Sequence, residues 1–160
     1  MDLSKEWAYL EDVAAARLRQ NKTQFHMDRY GTQIEILGAA GELAARRFFG
    51  LDEHLHTGFD DGFDIVYRGY TIDVKTTRLT RQIQHRYLQW SYFKPIEADI
   101  VLMAAVQLKK KRATILGYAT REEVDTAPIN YSRDVPCREI PVTRLHPAWH
   151  LENLKPGRPA

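Results

Sequence analysis

The stretch Phe63-Asp-Ile-Val-Tyr-Arg-Gly-Tyr-Thr-Ile-Asp-Val-Lys-Thr-Thr77 decides the fold. β-Branched and aromatic residues sit on either side of Arg68-Gly69, the pattern of two short strands joined by a tight turn. With Arg68-Gly69 as a two-residue hairpin loop, Tyr67 opposes Tyr70, Val66 opposes Thr71, Ile65 opposes Ile72 and Asp64 opposes Asp73. Directly opposed side chains of an antiparallel pair have Cβ atoms about 4.5–5.5 Å apart, and like charges placed so repel. Side chains two apart on a strand share a face, which adds Lys75 to Asp73.

This face is therefore expected to carry two carboxylates and an ammonium. Two close carboxylates require that one be protonated or that a cation lie between them. Mg²⁺ takes one or two carboxylates together with phosphate and water. A lone D-x-K triplet is usually a solvated surface pair. Here Phe63 and Ile65 flank Asp64, and Ile72 and Val74 flank Asp73. Both strands are thus expected to be half-buried, which favours a metal site.

Asp64, Asp73 and Lys75 resemble the motif of the PD-(D/E)xK nuclease superfamily, in its variant with Asp as the second acid. Gly41-Glu-Leu-Ala-Ala45 is similar to the helical glutamate that many members place before the hairpin, and Ala98-Asp-Ile-Val-Leu102 to the strand that follows it. The likeness spans roughly residues 34–124; Phe63 stands where the proline of the motif's name would be. It implies an α/β fold, a restriction-endonuclease-like mixed β-sheet core flanked by helices. It also implies Mg²⁺-dependent hydrolysis of DNA phosphodiester bonds, with Mn²⁺ as a substitute and a 5′-phosphate as product. In that scheme Asp64 and Asp73 bind the metal, with the Val74 carbonyl as a further ligand. Lys75 orients the attacking water, and Glu42 completes the metal shell or holds the water. Size and motif order are similar to small Holliday-junction-resolvase-like or phage-type endonucleases. The Gln-x-x-x-Tyr motif of the recombination-exonuclease branch is not matched, since Gln82 and Gln84 stand five and three residues before Tyr87. The alternative is a nuclease fold kept as an inert nucleic-acid-binding or assembly module.

At 160 residues the chain reads as one domain over 1–160, with a core at about 30–124 and a C-terminal extension over 125–160. Hydrophobic content of 44% and charged content of 28% are those of a globular protein. No apolar run reaches the length of a membrane span. Met1-Asp-Leu-Ser-Lys-Glu6 lacks the order of a signal peptide, and the single Cys137 fits a reducing compartment. A cytoplasmic protein with no membrane partner is the expectation.

The net charge of +2 does not by itself call for nucleic acid; its distribution is more informative. From Val74 through Ile96 there is no Asp or Glu, while Lys75, Arg78, Arg81 and Arg86 lead into Tyr87, Trp90, Tyr92 and Phe93, with Lys94 after them. Such a strip suits a phosphate backbone. Arg78, Arg81 and Arg86 are candidate DNA contacts, and Thr76 and Thr77 candidate hydrogen-bond donors to phosphate. The plainer reading makes the aromatics core residues and the threonines strand formers. One compact domain has one active site, so concerted cutting of both strands implies a homodimer.

An amphipathic helix is predicted over 3–20 and a second over 33–49. The second has a narrow stripe around Gly38-Ala-Ala-Gly41 that permits close approach to a sheet. Glu42, beside that stripe, either pairs in solvent with Arg46 four residues on or reaches the metal site. Residues 22–32 read as a connection, and Gly58-Phe-Asp-Asp-Gly62 as a turn in which Asp60 or Asp61 could hold a second metal. His54-x-His56 lacks the further ligands of structural zinc. Ala98-Asp-Ile-Val-Leu-Met-Ala-Ala-Val106 is an apolar run broken only by Asp99, expected of a central strand covered on both faces. Thr114–Ala119 returns as a strand after the charged turn Lys109–Arg112. Thr120 and Glu123 make a capping box. Residues 125–160 are expected to wrap irregularly, with one short strand at Arg138–Val142 and a frayed tail from Lys155.

Overall fold

The computed structural model describes residues 1–20, 31–57 and 62–154. The expectations for Asp60, Asp61, most of the 22–32 connection and the 155–160 tail lie outside the described residues. Helix α1 runs Trp7–Gln20 and α2 Gly31–Phe48. Strands β1 (Ile65–Tyr67) and β2 (Tyr70–Arg78) follow, then β3 (Tyr87–Ser91), β4 (Ile100–Gln107) and β5 (Arg112–Thr120). A short helix α3 (Arg121–Asp125) leads to β6 (Ile129–Asn130) and β7 (Cys137–Pro141). None of the described helices is long and apolar enough to cross a membrane.

The hairpin takes the register its sequence predicts: Ile65 pairs with Ile72, Val66 with Thr71 and Tyr67 with Tyr70. Its loop places Arg68 at φ 52 and Gly69 at φ 82. Two positive φ values match the right-handed twist of the strands. β2 then pairs in parallel with β4, and β4 antiparallel with β5, giving a mixed four-stranded sheet of order β1-β2-β4-β5.

Strand period separates the two faces of this sheet. Ile72 and Val74 of β2 and Leu102 and Ala104 of β4 cluster with Ala45 of α2 and with Phe49. α1 covers α2 in turn, with Trp7, Leu10 and Val13, joined by Leu3 just before the helix, against Ala39, Ala40, Leu43 and Ala44. On the opposite face, Val101 and Met103 cluster with Leu88 and Trp90 of β3 and with Val124 of α3. Those two β4 residues are the register partners of Asp73 and Lys75. Asp73 and Lys75 therefore face β3, away from α1 and α2.

Three expectations are corrected. The first helix begins at Trp7 rather than residue 3; Leu3 is nonetheless buried, its amide bonded to the Lys111 carbonyl at 2.8 Å. The second begins at Gly31 and ends at Phe48. The 125–160 extension is not merely an irregular wrap, because β6 and β7 join β3 in a second antiparallel sheet of order β3-β7-β6. β7 is a five-residue strand whose apolar residues are interrupted by charge, so its pairing depends on a partner 50 residues upstream in sequence, Gln89 opposite Glu139.

Candidate functional site

The site forms where β1 stops. The Asp64 amide bonds to the Ile72 carbonyl at 2.9 Å, the same residue that pairs with Ile65. Asp64 thus leaves the ladder instead of taking a regular place opposite Asp73. Its Oδ2 accepts the Val74 amide at 2.6 Å, which satisfies a strand N–H that has run out of partner strand. N–H and C=O of one strand residue point to the same edge. The Val74 carbonyl therefore faces the edge that Asp64 occupies.

Asp73 is the one charged residue buried in the described core, at 4% exposure. Its Oδ1 is in ion-pair contact with Lys75 Nζ and accepts no hydrogen bond of ordinary geometry. Lys75 Nζ also lies 4.5 Å from the centroid of the Trp90 ring. Burial pushes the Asp64 carboxyl up to about 7; the charges of Glu42 and Asp73 add to this, and the Val74 amide and Lys75 oppose it.

Glu42 reaches this electrostatic neighbourhood from α2, but it is not free. Arg17 of α1 donates to both its carboxylate oxygens at 2.7 Å and to the His56 carbonyl at 2.8 and 3.1 Å. The Glu42–Arg46 pair, one of the two readings of Glu42, is not formed. Arg46 donates instead to the carbonyls of Asp52 and Asp64, at 3.1 and 3.3 Å. Glu35, seven residues before Glu42 on α2, is also drawn in. Burial raises its carboxyl, Arg17 lowers it, and Glu42 raises it further.

Thr76 is corrected as a phosphate donor. It turns to the helix side, where its Oγ1 is buried and unpartnered. A Cβ on Gly41 would overlap that oxygen, so α2 approaches β2 here with no room for a side chain. Thr77, by strand period, shares the face of Lys75 and is half-buried. Arg78, Arg81 and Arg86 are exposed, and Arg78 donates to Gln33 Oε1 at 2.8 Å. Of the interleaved aromatics Trp90 is core, whereas Phe93 is 72% exposed. The rings of His54 and His56 contact each other at 6.3 Å between centroids.

The donor set suits a hard divalent cation. Asp64 and Asp73 supply carboxylate oxygens in a poorly solvated place, and Asp73 Oδ1 lacks the hydrogen bonds a buried carboxylate normally collects. Among the described residues no three His, Cys, Asp or Glu side chains gather as a metal cluster, so the protein donors reduce to this pair and the Val74 carbonyl. That is the few-ligand arrangement by which Mg²⁺ keeps positions for water and phosphate. Arg17, Glu35 and Trp90 are not identifiable from the sequence as parts of the site. Only the helical spacing of Glu35 and Glu42 hints at any of them. A cavity of about 690 Å³ opens elsewhere, between Tyr87, Pro128, Ile140 and Arg144, and includes neither Asp64, Asp73 nor Lys75. No family model, curated protein or solved structure matches the chain.

Proposed function

We propose that the chain is a metal-dependent nuclease of the restriction-endonuclease-like fold that hydrolyses phosphodiester bonds within DNA. One observation carries this reading: Asp64 accepts the Val74 amide beside Asp73, whose charge it feels, at the end of the β1–β2 ladder, and the Lys75 ammonium is in ion-pair contact with Asp73. A structural ion pair needs one carboxylate, and the second is left with burial that disfavours its charge.

Asp64, Asp73 and the Val74 carbonyl would hold Mg²⁺, or Mn²⁺ in its place. When bound, the ion supplies Lewis acidity toward a phosphate oxygen and acidity to water. The residues do the rest. Lys75 presents ammonium donors beside Asp73, where they orient a water molecule and offset the negative charge that grows on the phosphate. Attack by that water on phosphorus breaks the bond to the 3′ oxygen and leaves a 5′-phosphate and a 3′-hydroxyl. Glu42, ion-paired with Arg17, still adds through its charge to the burial that holds the Asp64 carboxyl up. Exposed Arg81 and Arg86 meet the DNA backbone, with Thr77 nearer the reacting phosphate.

The grip of Arg17 on Glu42 favours a second reading, because it removes a third carboxylate from metal service. In that reading the chain binds nucleic acid without turnover. One experiment separates the two. The purified protein is offered linear, single-stranded, branched and supercoiled DNA with Mg²⁺, with Mn²⁺ and with chelator, beside Asp73→Asn and Lys75→Ala. The nuclease cuts only with metal, and each substitution lowers the rate by about 10²–10⁴-fold while binding persists. Binding that ignores chelator, with no cutting of any DNA, establishes the inert module.

A further inference from the structure

Trp90 belongs to the small sheet, yet it touches the site on the large one. Its ring is 2% exposed and clusters with Val101 and Met103, the register partners of Asp73 and Lys75. Lys75 Nζ stands 4.5 Å from the ring centroid, and Lys94 Nζ 5.5 Å. Two constraints fix the ring. Nε1–H donates to the Lys94 carbonyl at 2.8 Å, and the backbone is paired with Arg138 of β7.

A lysine tip is a compact charge on a flexible four-carbon stem with three donors. The Lys75 side chain is 35% exposed, so a single carboxylate partner leaves it free to swing into solvent. The face of an indole attracts an ammonium more strongly than any other aromatic ring. With one donor toward Asp73 and the ammonium set over the ring, the remaining direction is the one open to a water or a phosphate oxygen.

We propose that Trp90 is a positioning residue for Lys75, and that β3 and β7 act as the buttress that keeps its indole in place. This rests on the nuclease reading, because it assigns Trp90 a share in the rate and not only in the packing. It also gives the C-terminal extension a role, since β7 pairs with β3 from Tyr87 to Ser91 and so holds Trp90 under the lysine.

The test pairs a spectrum with kinetics. The ε-methylene proton resonances of Lys75, assigned by their loss in Lys75→Ala, are recorded in the wild type, Trp90→Phe and Trp90→Leu. Mg²⁺-dependent cleavage is measured on the same proteins, each shown folded by its unfolding transition. Ring current from an indole face displaces the Lys75 signals upfield in the wild type. Trp90→Leu returns them to ordinary lysine positions and lowers kcat by about 10–100-fold, the range for partners that orient an active-site group, with KM unchanged. Trp90→Phe keeps a weaker face and most of both effects. Undisplaced Lys75 signals in the wild type overturn the proposal, and that measurement needs no Trp90 variant to fold. Equal losses in Trp90→Phe and Trp90→Leu also overturn it, since they report packing volume. A cutting wild type with an unimpaired Trp90→Leu overturns this assignment alone. A folded wild type that cuts no DNA overturns the nuclease reading and this assignment with it.

Discussion

Arg17 holds both carboxylate oxygens of Glu42 at 2.7 Å, across 25 residues of sequence. One guanidinium thereby ties α1 to α2 and, through the His56 carbonyl, to the segment that leads into the hairpin. The two side chains are 17% and 12% exposed, so the pair is weakly screened and costly to break.

Replacing Arg17 with Met leaves the Glu42 charge without its partner. The expected loss is about 2–3 kcal/mol, somewhat below the about 3–5 kcal/mol of a fully buried pair. Arg17→Met/Glu42→Gln recovers more than half of it, because the stranded charge is gone. Urea unfolding of the wild type, Arg17→Met, Glu42→Gln and the double variant gives the cycle. A double variant no more stable than Arg17→Met shows that the guanidinium acts through packing.

Asp64 makes the fold sensitive to pH. Its carboxyl titrates at about 7 in the fold against an ordinary 3.8, so between those values the folded chain carries a proton that the unfolded chain has lost. A raised acid contributes stability that is full below about pH 4 and is lost as pH rises through 7. In chelator, Asp64→Asn, which can still accept the Val74 amide, is expected to exceed the wild type by about 1–2 kcal/mol near pH 8. At about pH 4 the two should lie close together. Mg²⁺ at about 100 times its Kd raises wild-type stability at pH 8 by about 2.7 kcal/mol; in Asp64→Asn the gain shrinks. Thermal melts in matched buffers check all of these, and a wild-type gain from Mg²⁺ matched by the variant removes Asp64 from the ligand set.

The two glycines of α2 should respond in opposite directions. Gly41→Ala drives a methyl into Thr76 Oγ1 and must push α2 off β2, a loss of about 1–3 kcal/mol. Thr76→Ala restores part of it. Gly38→Ala meets nothing within 4 Å and is expected to gain up to about 1 kcal/mol from helix propensity. If both lower Tm equally, the close contact at Gly41 is not what distinguishes them.

Arg81 and Arg86 are exposed in the acid-free stretch after the hairpin. If each neutralises one phosphate, its alanine variant lowers the slope of log K against log salt by about 0.9 on duplex DNA. Anisotropy titrations in chelator over a salt series read the slope without cleavage. A slope unchanged in both variants moves the DNA path elsewhere.

Local interactions were legible in the sequence. The hairpin register follows from a two-residue loop and a period of two, and the structure repeats it pair for pair up to Ile65–Ile72. Thr120 and Glu123 form their capping box because both bonds close within three residues. The buried run Ile100–Val106 is central because nothing polar interrupts it. Glu42 shows the limit. Its spacing from Arg46 permits a pair, but such spacing states only what can meet. Arg46 had better acceptors in two carbonyls, and Glu42 had a better donor on another helix.

The sequence by itself determined the hairpin register as far as Ile65–Ile72, and with it that Lys75 shares a face with Asp73 and that Asp64 lies one residue beyond the last pair. Tertiary structure decided what surrounds them. It gave Glu42 to Arg17, turned Thr76 to Gly41 and away from solvent, and set Trp90 under Lys75 through a pairing of β3 with β7. These contacts join residues far apart in sequence, and their energies come from desolvation and packing. Neither exists until the helices and the second sheet close on the two faces of the first.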